Sequence, residues 1–444
     1  MPRGADGMAR QEIDFLAHTA GLLYTMEEPG LPDGPRRGDN LARVGVIEGG
    51  AVAARDGIIV AVGTLDDVRD QVEFADGTTV IDAGRSAITP GFVDPHTHAV
   101  FGTPRSGEFG RRLTGESYQS IAASGGGIRA STREFRTIDK ARLLELTRQR
   151  LRAALSYGTT TIEIKSGYGL DFESEIKALE VVAELAGDPV LPRSVATCLA
   201  AHEIPDEYRE DREAYLRIVC DEVLPAVADR GLAERVDVFC EPGVYTPEEA
   251  ERVLARGKEL GLRGTVHADE LEGSGGAEVA ARLGADSADH LGAISDRGIE
   301  ALAEGSTVGV LLPGTIFSLG LDNQAPARSM IDRGVAVALA TDFNPGSNWC
   351  ESVPLTMAIA CTRLKLHPHE ALAMATINAA HAVGRAAEVG SLAVGKRCDC
   401  NVLREASVDA LCHHLGLDPV GTVVLGGRVV ARIEPAGAES SPIR

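Results

Sequence analysis

The sequence predicts an α/β fold, a (β/α)8 TIM barrel carrying a small β-sandwich built from both chain ends. Through the middle of the chain, eight short β-branched runs alternate with amphipathic helical stretches, the rhythm of βα units around a parallel sheet, and eight is the number a closed barrel needs. Toward both ends the rhythm changes to short alternating strands punctuated by Gly and Asp. The histidines and carboxylates suited to chemistry collect at the C-terminal ends of the middle runs, the rim where barrel enzymes keep their sites.

With 444 residues, 44% of them hydrophobic, the chain can fill one large core and one smaller one. In chain order, strands are expected at 44–47, 51–54 and 58–62 within the first small-domain segment. The barrel runs follow at 87–94, 159–165, 194–200, 236–240, 264–267, 287–289, 307–312 and 335–341. Between them the helices are well signalled. Thr246-Pro247-Glu248-Glu249 supplies an N-cap, a first-turn proline and a capping-box glutamate, and Gly261 stops that helix. A second helix is expected at 137–157, ended by Gly158. Strands return at 421–425 and 428–433 around the hairpin pair Gly426-Gly427. The expected division assigns 1–88 and 387–444 to the sandwich and 89–386 to the barrel. One connection, from His98 to Thr137, is long and carries Gly125-Gly126-Gly127. No GK[ST] follows these glycines, so a lid over the barrel mouth is expected rather than a phosphate cradle.

Lys+Arg 44 against Asp+Glu 65 gives a formal net charge of −21, a field that repels nucleic acid and anionic membrane. Neither is expected as a partner. The eight cysteines, at 198, 220, 240, 350, 361, 398, 400 and 412, lack the compact spacing of a disulfide framework and suit a reducing cytoplasm. The first ten residues hold no hydrophobic run, and no stretch approaches the ~20 apolar residues that span a bilayer. Met8 offers an alternative start.

The first barrel run ends in Asp94-Pro95-His96-Thr97-His98. Residues two apart on a strand share a face, so His96 and His98 can point at one ion. Two imidazoles leave a metal under-coordinated, and the weight comes from His267 at the end of the fifth run and Asp342 at the end of the eighth. Three histidines and one carboxylate suit one Zn²⁺ or Fe²⁺/Fe³⁺ per chain, whereas Mg²⁺ and Ca²⁺ want more oxygens. Such an ion activates water for hydrolysis at a carbon bearing nitrogen. Glu270, in an H-x-x-E arrangement with His267, is the candidate to shuttle a proton, or else a first-turn carboxylate stabilised by a helix dipole. His290 is placed to hydrogen-bond the water or the oxyanion, with Asp342 as an alternative base. Arg105 offers a forked cation and Tyr168 a hydroxyl on an aromatic ring; together they can hold a carboxylate-bearing heterocycle. Lys165 reads either as a solvated strand-end lysine or as a site residue. Cys398 and Cys400 with His413 and His414 invite a second metal, but C-x-C is not the usual C-x₂₋₄-C of structural zinc.

These motifs resemble the amidohydrolase superfamily: the HxH after strand one, histidines after strands five and six, and the aspartate after strand eight. Cys240-Glu241 falls where many members carry a metal-bridging lysine, which favours a single ion. More specifically, the chain resembles the imidazolonepropionase family. The likeness rests on the HTH with its downstream Arg105, Ser124-Gly125-Gly126-Gly127-Ile128, Ser166-Gly167-Tyr168-Gly169, Ala201-His202-Glu203, Val266 to Glu270, Asp289-His290, and Thr341 to Ser347. The resemblance implies His96, His98, His267 and Asp342 as metal ligands. It further implies Arg105, Tyr168, His202 and Glu270 around the substrate, with Asn344, Gly346 and Ser347 at the far end of the pocket. Ser347 stands where many members carry threonine, and the stretch 396–401 departs from the expected acidic, cysteine-free turn. The implied reaction opens 4-imidazolone-5-propanoate to N-formimidoyl-L-glutamate, the implied assembly is a homodimer, and the roles of Glu270, His290 and Asp342 as catalytic groups follow the same likeness. Two rivals are an aminohydrolase releasing ammonia from a guanine- or cytosine-like base, and a catalytically dead barrel serving as a scaffold. The first does not explain Arg105 with the SGYG turn, and the second has no need of its ligands.

Overall fold

The computed structural model describes residues 10–116, 120–121, 124–416 and 418–432. Met8 and Ile433, which figure in the expectations above, lie outside them. Eight parallel strands follow one another around a single sheet in chain order: Phe92–Asp94, Thr159–Lys165, Arg193–Ala201, Arg235–Cys240, Arg263–Ala268, Ser287–His290, Val308–Leu311 and Val337–Leu339. Each matches an expected run, and their order fixes which side chains share the rim. The parallel register sets Phe239 beside His267 and His267 beside Asp289.

Side chains and loops close the barrel between the last strand and the first. The Asp94 carboxylate accepts the Thr341 N–H at 3.1 Å and the Thr341 hydroxyl at 2.6 Å. Just beyond, the His98 N–H reaches the Phe343 carbonyl at 2.9 Å and the Asp342 N–H reaches the His96 carbonyl at 3.1 Å. Burial pushes the Asp94 carboxyl up to about 7 against those hydrogen bonds. The seam therefore runs directly through three candidate ligands, His96, His98 and Asp342.

The expected run 87–94 divides in two. Ile88–Pro90 pairs antiparallel with Cys400–Leu403 in the sandwich, whereas Phe92–Asp94 pairs with Thr159–Lys165 in the barrel. Gly91 is the pivot, and a Cβ there would lie 2.1 Å from the Thr160 hydroxyl. Its absence lets the chain change sheets without a gap. The expected helix 137–157 is Lys140–Ser156, whereas Thr137 closes the preceding helix, Gly127–Thr137. Asp139 sets the later start by accepting the Arg142 N–H at 2.8 Å as an N-cap.

The sandwich stacks a four-stranded sheet from 11–82 on a six-stranded sheet that takes strands from both chain ends. Phe15, Leu23, Val52, Ile88, Cys400 and Val424 fill the space between them. Gly426 and Gly427, at φ +56° and +70°, make the tight turn joining Val420–Leu425 to Arg428–Arg432. Cys398 and Cys400 pack into this core, and among the described residues no three-donor cluster includes them. The second-metal reading fails on that placement.

Over the barrel mouth, the long connection after His98 forms the helices Ser106–Leu113 and Gly127–Thr137. Arg129 and Arg133 both reach Asp206 at 3.1 Å, and Arg136 reaches Asp171 at 2.8 Å and Glu207 at 2.7 Å. These half-exposed pairs are individually weak, about 0–1 kcal/mol, but together they tie the second helix to two other loops of the rim.

Candidate metal centre

His96 and His98 leave the first strand on one face, and both are buried. His96 Nδ1 stands 2.6 Å from Asp289 Oδ2, and His267 Nδ1 stands 2.9 Å from Asp237 Oδ2. A carboxylate beside Nδ1 fixes the tautomer with the proton there and leaves the Nε2 lone pair facing the centre. On that inner side His98 Nε2 lies 3.3 Å from His267 Nε2 and 3.5 Å from Asp342 Oδ1, while His96 Nε2 lies 3.7 Å from the same oxygen. Four ligands held about 2.0–2.1 Å from a tetrahedral centre stand about 3.4 Å apart. The observed spacings have that size.

The chemistry of the donors fits as well. His96 Nε2 and Asp342 Oδ1 are buried without a hydrogen-bond partner among the described residues, a costly arrangement unless something binds them. Burial, reinforced by neighbouring cationic groups, holds the imidazoles of His96 and His98 well below the usual histidine range, so they are neutral and able to donate lone pairs. Asp342 is oriented by the Thr315 hydroxyl, which donates to Oδ2 at 2.5 Å and leaves Oδ1 for the centre. Burial raises its carboxyl to about 6. Three overlapping clusters of ligand atoms arise here: His96 with His267 and His290, His98 with His202 and His267, and His96 with His98 and Asp342. His202 and His290 thus belong to the same knot of side chains as the four expected ligands.

Lys165 is fully buried, which overturns its reading as a solvated strand-end lysine. Its Nζ lies 2.8 Å from Asp237 Oδ2, 2.9 Å from Glu163 Oε1 and 3.8 Å from Asp289 Oδ2. Burial alone would discharge it, but the three carboxylates prevail and its pKa rises. The ammonium compensates the two aspartates that orient His96 and His267. None of these supports was assigned a role from the sequence. The signal was there: Glu163 between Ile162 and Ile164, and Asp237 between Val236 and Val238, are charged residues inside runs otherwise fit for a core.

One cavity joins the centre to the expected substrate residues. It is lined by His98, His267 and Asp342 together with Arg105, Tyr168, His202, Glu270, His290, Asn344 and Ser347. His202 stacks on His98, with ring centroids 5.1 Å apart and planes 15° from parallel, and its Nδ1 faces the Gly167 carbonyl at 2.9 Å. Burial lowers the His202 imidazole to about 3. The turn carrying Tyr168 hangs on buried Glu175, whose carboxylate accepts the N–H groups of Gly167, Gly169 and Leu170 at 2.8–3.1 Å. Arg105 is set by Glu108 at 3.1 Å and the Ser131 hydroxyl at 2.6 Å.

Gly346 does not line this cavity. It packs beneath Arg105 instead, and a Cβ there would lie 1.7 Å from Arg105 Nη2. Asn344 lines the cavity but uses its own amide to build the loop. Its Oδ1 accepts the N–H groups of Gly346 and Ser347 at 2.8 Å, and its Nδ2 donates to the Asp342 carbonyl at 2.8 Å.

Glu270 Oε1 lies 3.7 Å from His290 Nδ1, and its side chain is 13% exposed. Burial, then the nearby Asp342 and Glu241, hold its carboxyl well above the usual range. Asp269, His290 and Asp342 all have left-handed backbone, at φ +51°, +78° and +52°. Such conformations cost about 1–3 kcal/mol each in non-glycine residues and collect where a site needs them.

The profile of the amidohydrolase family matches residues 87–430. Imidazolonepropionase of Symbiobacterium thermophilum is 48% identical over 419 residues, covering 94% of this chain and 97% of that one. Imidazolonepropionase of Geobacillus thermodenitrificans is 47% identical over 389 residues, covering 87% and 91%. Among solved structures, guanine deaminase of E. coli superposes with a TM-score of 0.70 at 17% identity over 94% of this chain and 99% of that one. A 5-methylcytosine deaminase of Klebsiella pneumoniae also gives 0.70, at 16% identity over 96% and 100%. At such identities the deaminases share the fold alone.

Proposed function

The chain belongs to the imidazolonepropionase family of amidohydrolases, and we propose that its barrel mouth opens 4-imidazolone-5-propanoate by water to N-formimidoyl-L-glutamate. The observation that carries the reading is the convergence of His96, His98, His267 and Asp342, with three donor pairs 3.3–3.7 Å apart and the last three residues lining one cavity with Glu270 and Arg105. His96, His98, His267 and Asp342 would hold one Zn²⁺ or Fe²⁺/Fe³⁺, with Asp289 and Asp237 behind two of the rings. Such an ion, when bound, lowers the pKa of water from ~15.7 toward neutrality and polarises a carbonyl.

The chain's own residues supply the rest. Arg105 and Tyr168 receive the propanoate carboxylate, the first by a charged fork and the second by a hydroxyl. Water oxygen adds to the lactam carbonyl carbon and the ring C–N bond breaks. Glu270 takes the water proton on Oε and returns it to the departing nitrogen. The buried Nε2 of His290 has no hydrogen-bond partner among the described residues and is the group to steady the developing oxyanion. Relatives at 40–48% identity share the ring-opening name, which favours this reaction over ammonia release.

The test is a spectrophotometric assay with freshly generated 4-imidazolone-5-propanoate, with formimidoylglutamate and ammonia measured at the end point. Loss of imidazolone absorbance with formimidoylglutamate and no ammonia is expected. Glu270→Gln is expected to lower kcat by about 10²–10⁴-fold at unchanged metal content. Arg105→Met is expected to act mainly through KM, raising it by about 10–100-fold, because a binding contact present before and during the reaction is lost. An intact metal with an untouched imidazolone would overturn the substrate.

The assembly expected of the family is a homodimer. Phe109, Leu113, Phe317 and Trp349 expose apolar side chains beside the groove that adjoins Arg105, a surface suited to burial against a second copy. Light scattering at the eluting peak should give twice the chain mass; a mass of 46.6 kDa would sink the dimer. A cytoplasmic site of action is expected from the spacing of the eight cysteines, which are unbridged; no helix among the described residues is long and apolar enough to cross a membrane.

A further inference from the structure

One buried carboxylate beside the site takes no part in the reaction just described. Glu241 follows the fourth barrel strand, is 5% exposed, and does not line the cavity. Its Oε2 accepts the N–H of Glu270 at 3.1 Å, and its Oε1 accepts those of Leu271 at 3.1 Å and Glu272 at 2.8 Å. Three consecutive backbone donors are gathered on one side chain.

The turn needs an external hold. Asp269, just before Glu270, has left-handed backbone at φ +51°, a conformation that persists in a non-glycine residue only where the surroundings over-determine it. The Asp269 carboxylate is engaged on the far side of the same turn, accepting the N–H groups of Ser274, Gly275 and Ala277 at 2.6–3.1 Å. On the side of Glu270 itself, the side chain that holds the turn is Glu241. Glu175 does the same for the turn that carries Tyr168, so the device recurs under two loops of one rim.

We infer that Glu241 is a positioning residue, which holds the N–H groups of residues 270–272 and so aims the Glu270 carboxyl at the reacting atoms without touching the substrate. The inference rests on the proposed proton-transfer role of Glu270. Glu241→Gln replaces one acceptor oxygen by an NH₂ that cannot accept, so the turn loses at least one of its three anchors.

The test is a double-mutant cycle on the metal-loaded full chain, reading kcat, KM and metal content for Glu241→Gln, Glu270→Gln and the pair. Glu241→Gln is expected to lower kcat by about 10–100-fold, the scale of a misplaced catalytic group, with KM within about twofold and metal unchanged. In the Glu270→Gln background the same substitution should cost nothing further in kcat. An equal loss in both backgrounds would mean that Glu241 acts independently of Glu270 and would overturn the inference, as would a wild-type kcat for Glu241→Gln. Glu270→Gln at wild-type kcat would instead overturn the proton-transfer reading itself. Should Glu241→Gln not fold, Glu241→Asp keeps the charge and withdraws the acceptors by one methylene, and the same cycle is read from it.

Discussion

His267→Ala is expected to abolish turnover and to bring the metal content from about one ion per chain to near zero, with the fold retained. His267 belongs to two of the three ligand clusters, and its Nε2 faces His98 Nε2 at 3.3 Å. Removing it deletes one of four ligands and opens a position that the remaining two imidazoles and one carboxylate do not fill. The variant that discriminates is Asp237→Asn, which keeps the ring but loses the carboxylate 2.9 Å from His267 Nδ1. Loss of such a support typically costs 10–100-fold in metal affinity or activity, so Asp237→Asn should bind the ion more weakly and recover part of its turnover as metal is added, whereas His267→Ala should not. Metal analysis after gel filtration, followed by turnover against added Zn²⁺ or Fe²⁺, checks both. A His267→Ala protein with one ion per chain and wild-type turnover would remove His267 from the centre.

The convergence of the candidate ligands was legible in the sequence because strand alternation and strand ends are local. HxH needs only a period of two, and His267 and Asp342 need only a correct count of runs. Eight runs also sufficed for the barrel. The pivot at Gly91 was not legible, because an apolar run shows no mark where hydrogen bonding passes from one sheet to another; the contact that requires glycine there comes from Thr160, some seventy residues on. The supports beneath the candidate ligands stand out in the sequence only as charged residues in apolar runs, and their role was hidden for a related reason. Glu163, Asp237 and Asp289 gain meaning only when parallel register brings strands two, four and six around one ammonium, and register is a tertiary property. Glu241 was read from its strand position as the residue standing where relatives carry a bridging lysine, and its hold on residues 270–272 appears only in three dimensions. Asn344 and Gly346, which the family likeness sets at the far end of the pocket, also shape the loop and seat Arg105, a part that only the folded chain shows.

That ammonium carries the second large expectation. Lys165→Met is expected to destabilise the protein by about 3–5 kcal/mol, because removing one partner of a buried ionic cluster leaves the others charged and uncompensated. At this chain length the loss corresponds to a fall of roughly 3–5 °C in the unfolding midpoint. The loss should depend on pH in a definite sense. In the native chain, burial would raise the Asp237 carboxyl, but His267 and Lys165 overcome it and hold it well below the usual range. Without the ammonium, Asp289, which burial already raises to about 6, loses its main lowering influence and rises further above its unfolded value of about 3.9, while Asp237 loses one of the two groups that hold it down. The folded variant then binds more protons than the unfolded one, so its stability falls as pH rises from about 4 toward the raised values. The gap between Lys165→Met and the native chain should accordingly widen between pH 5 and pH 8. Denaturant unfolding of the metal-free proteins at the two pH values measures it, and metal removal beforehand keeps ligand binding from masking the difference. A variant equally stable at both values and indistinguishable from the native chain would show that the three carboxylates do not depend on Lys165. Loss of stability with metal affinity intact would confine the lysine to folding. Loss of both would tie the same charge to the orientation of His96 and His267, since the two aspartates it compensates are the ones that hold those rings.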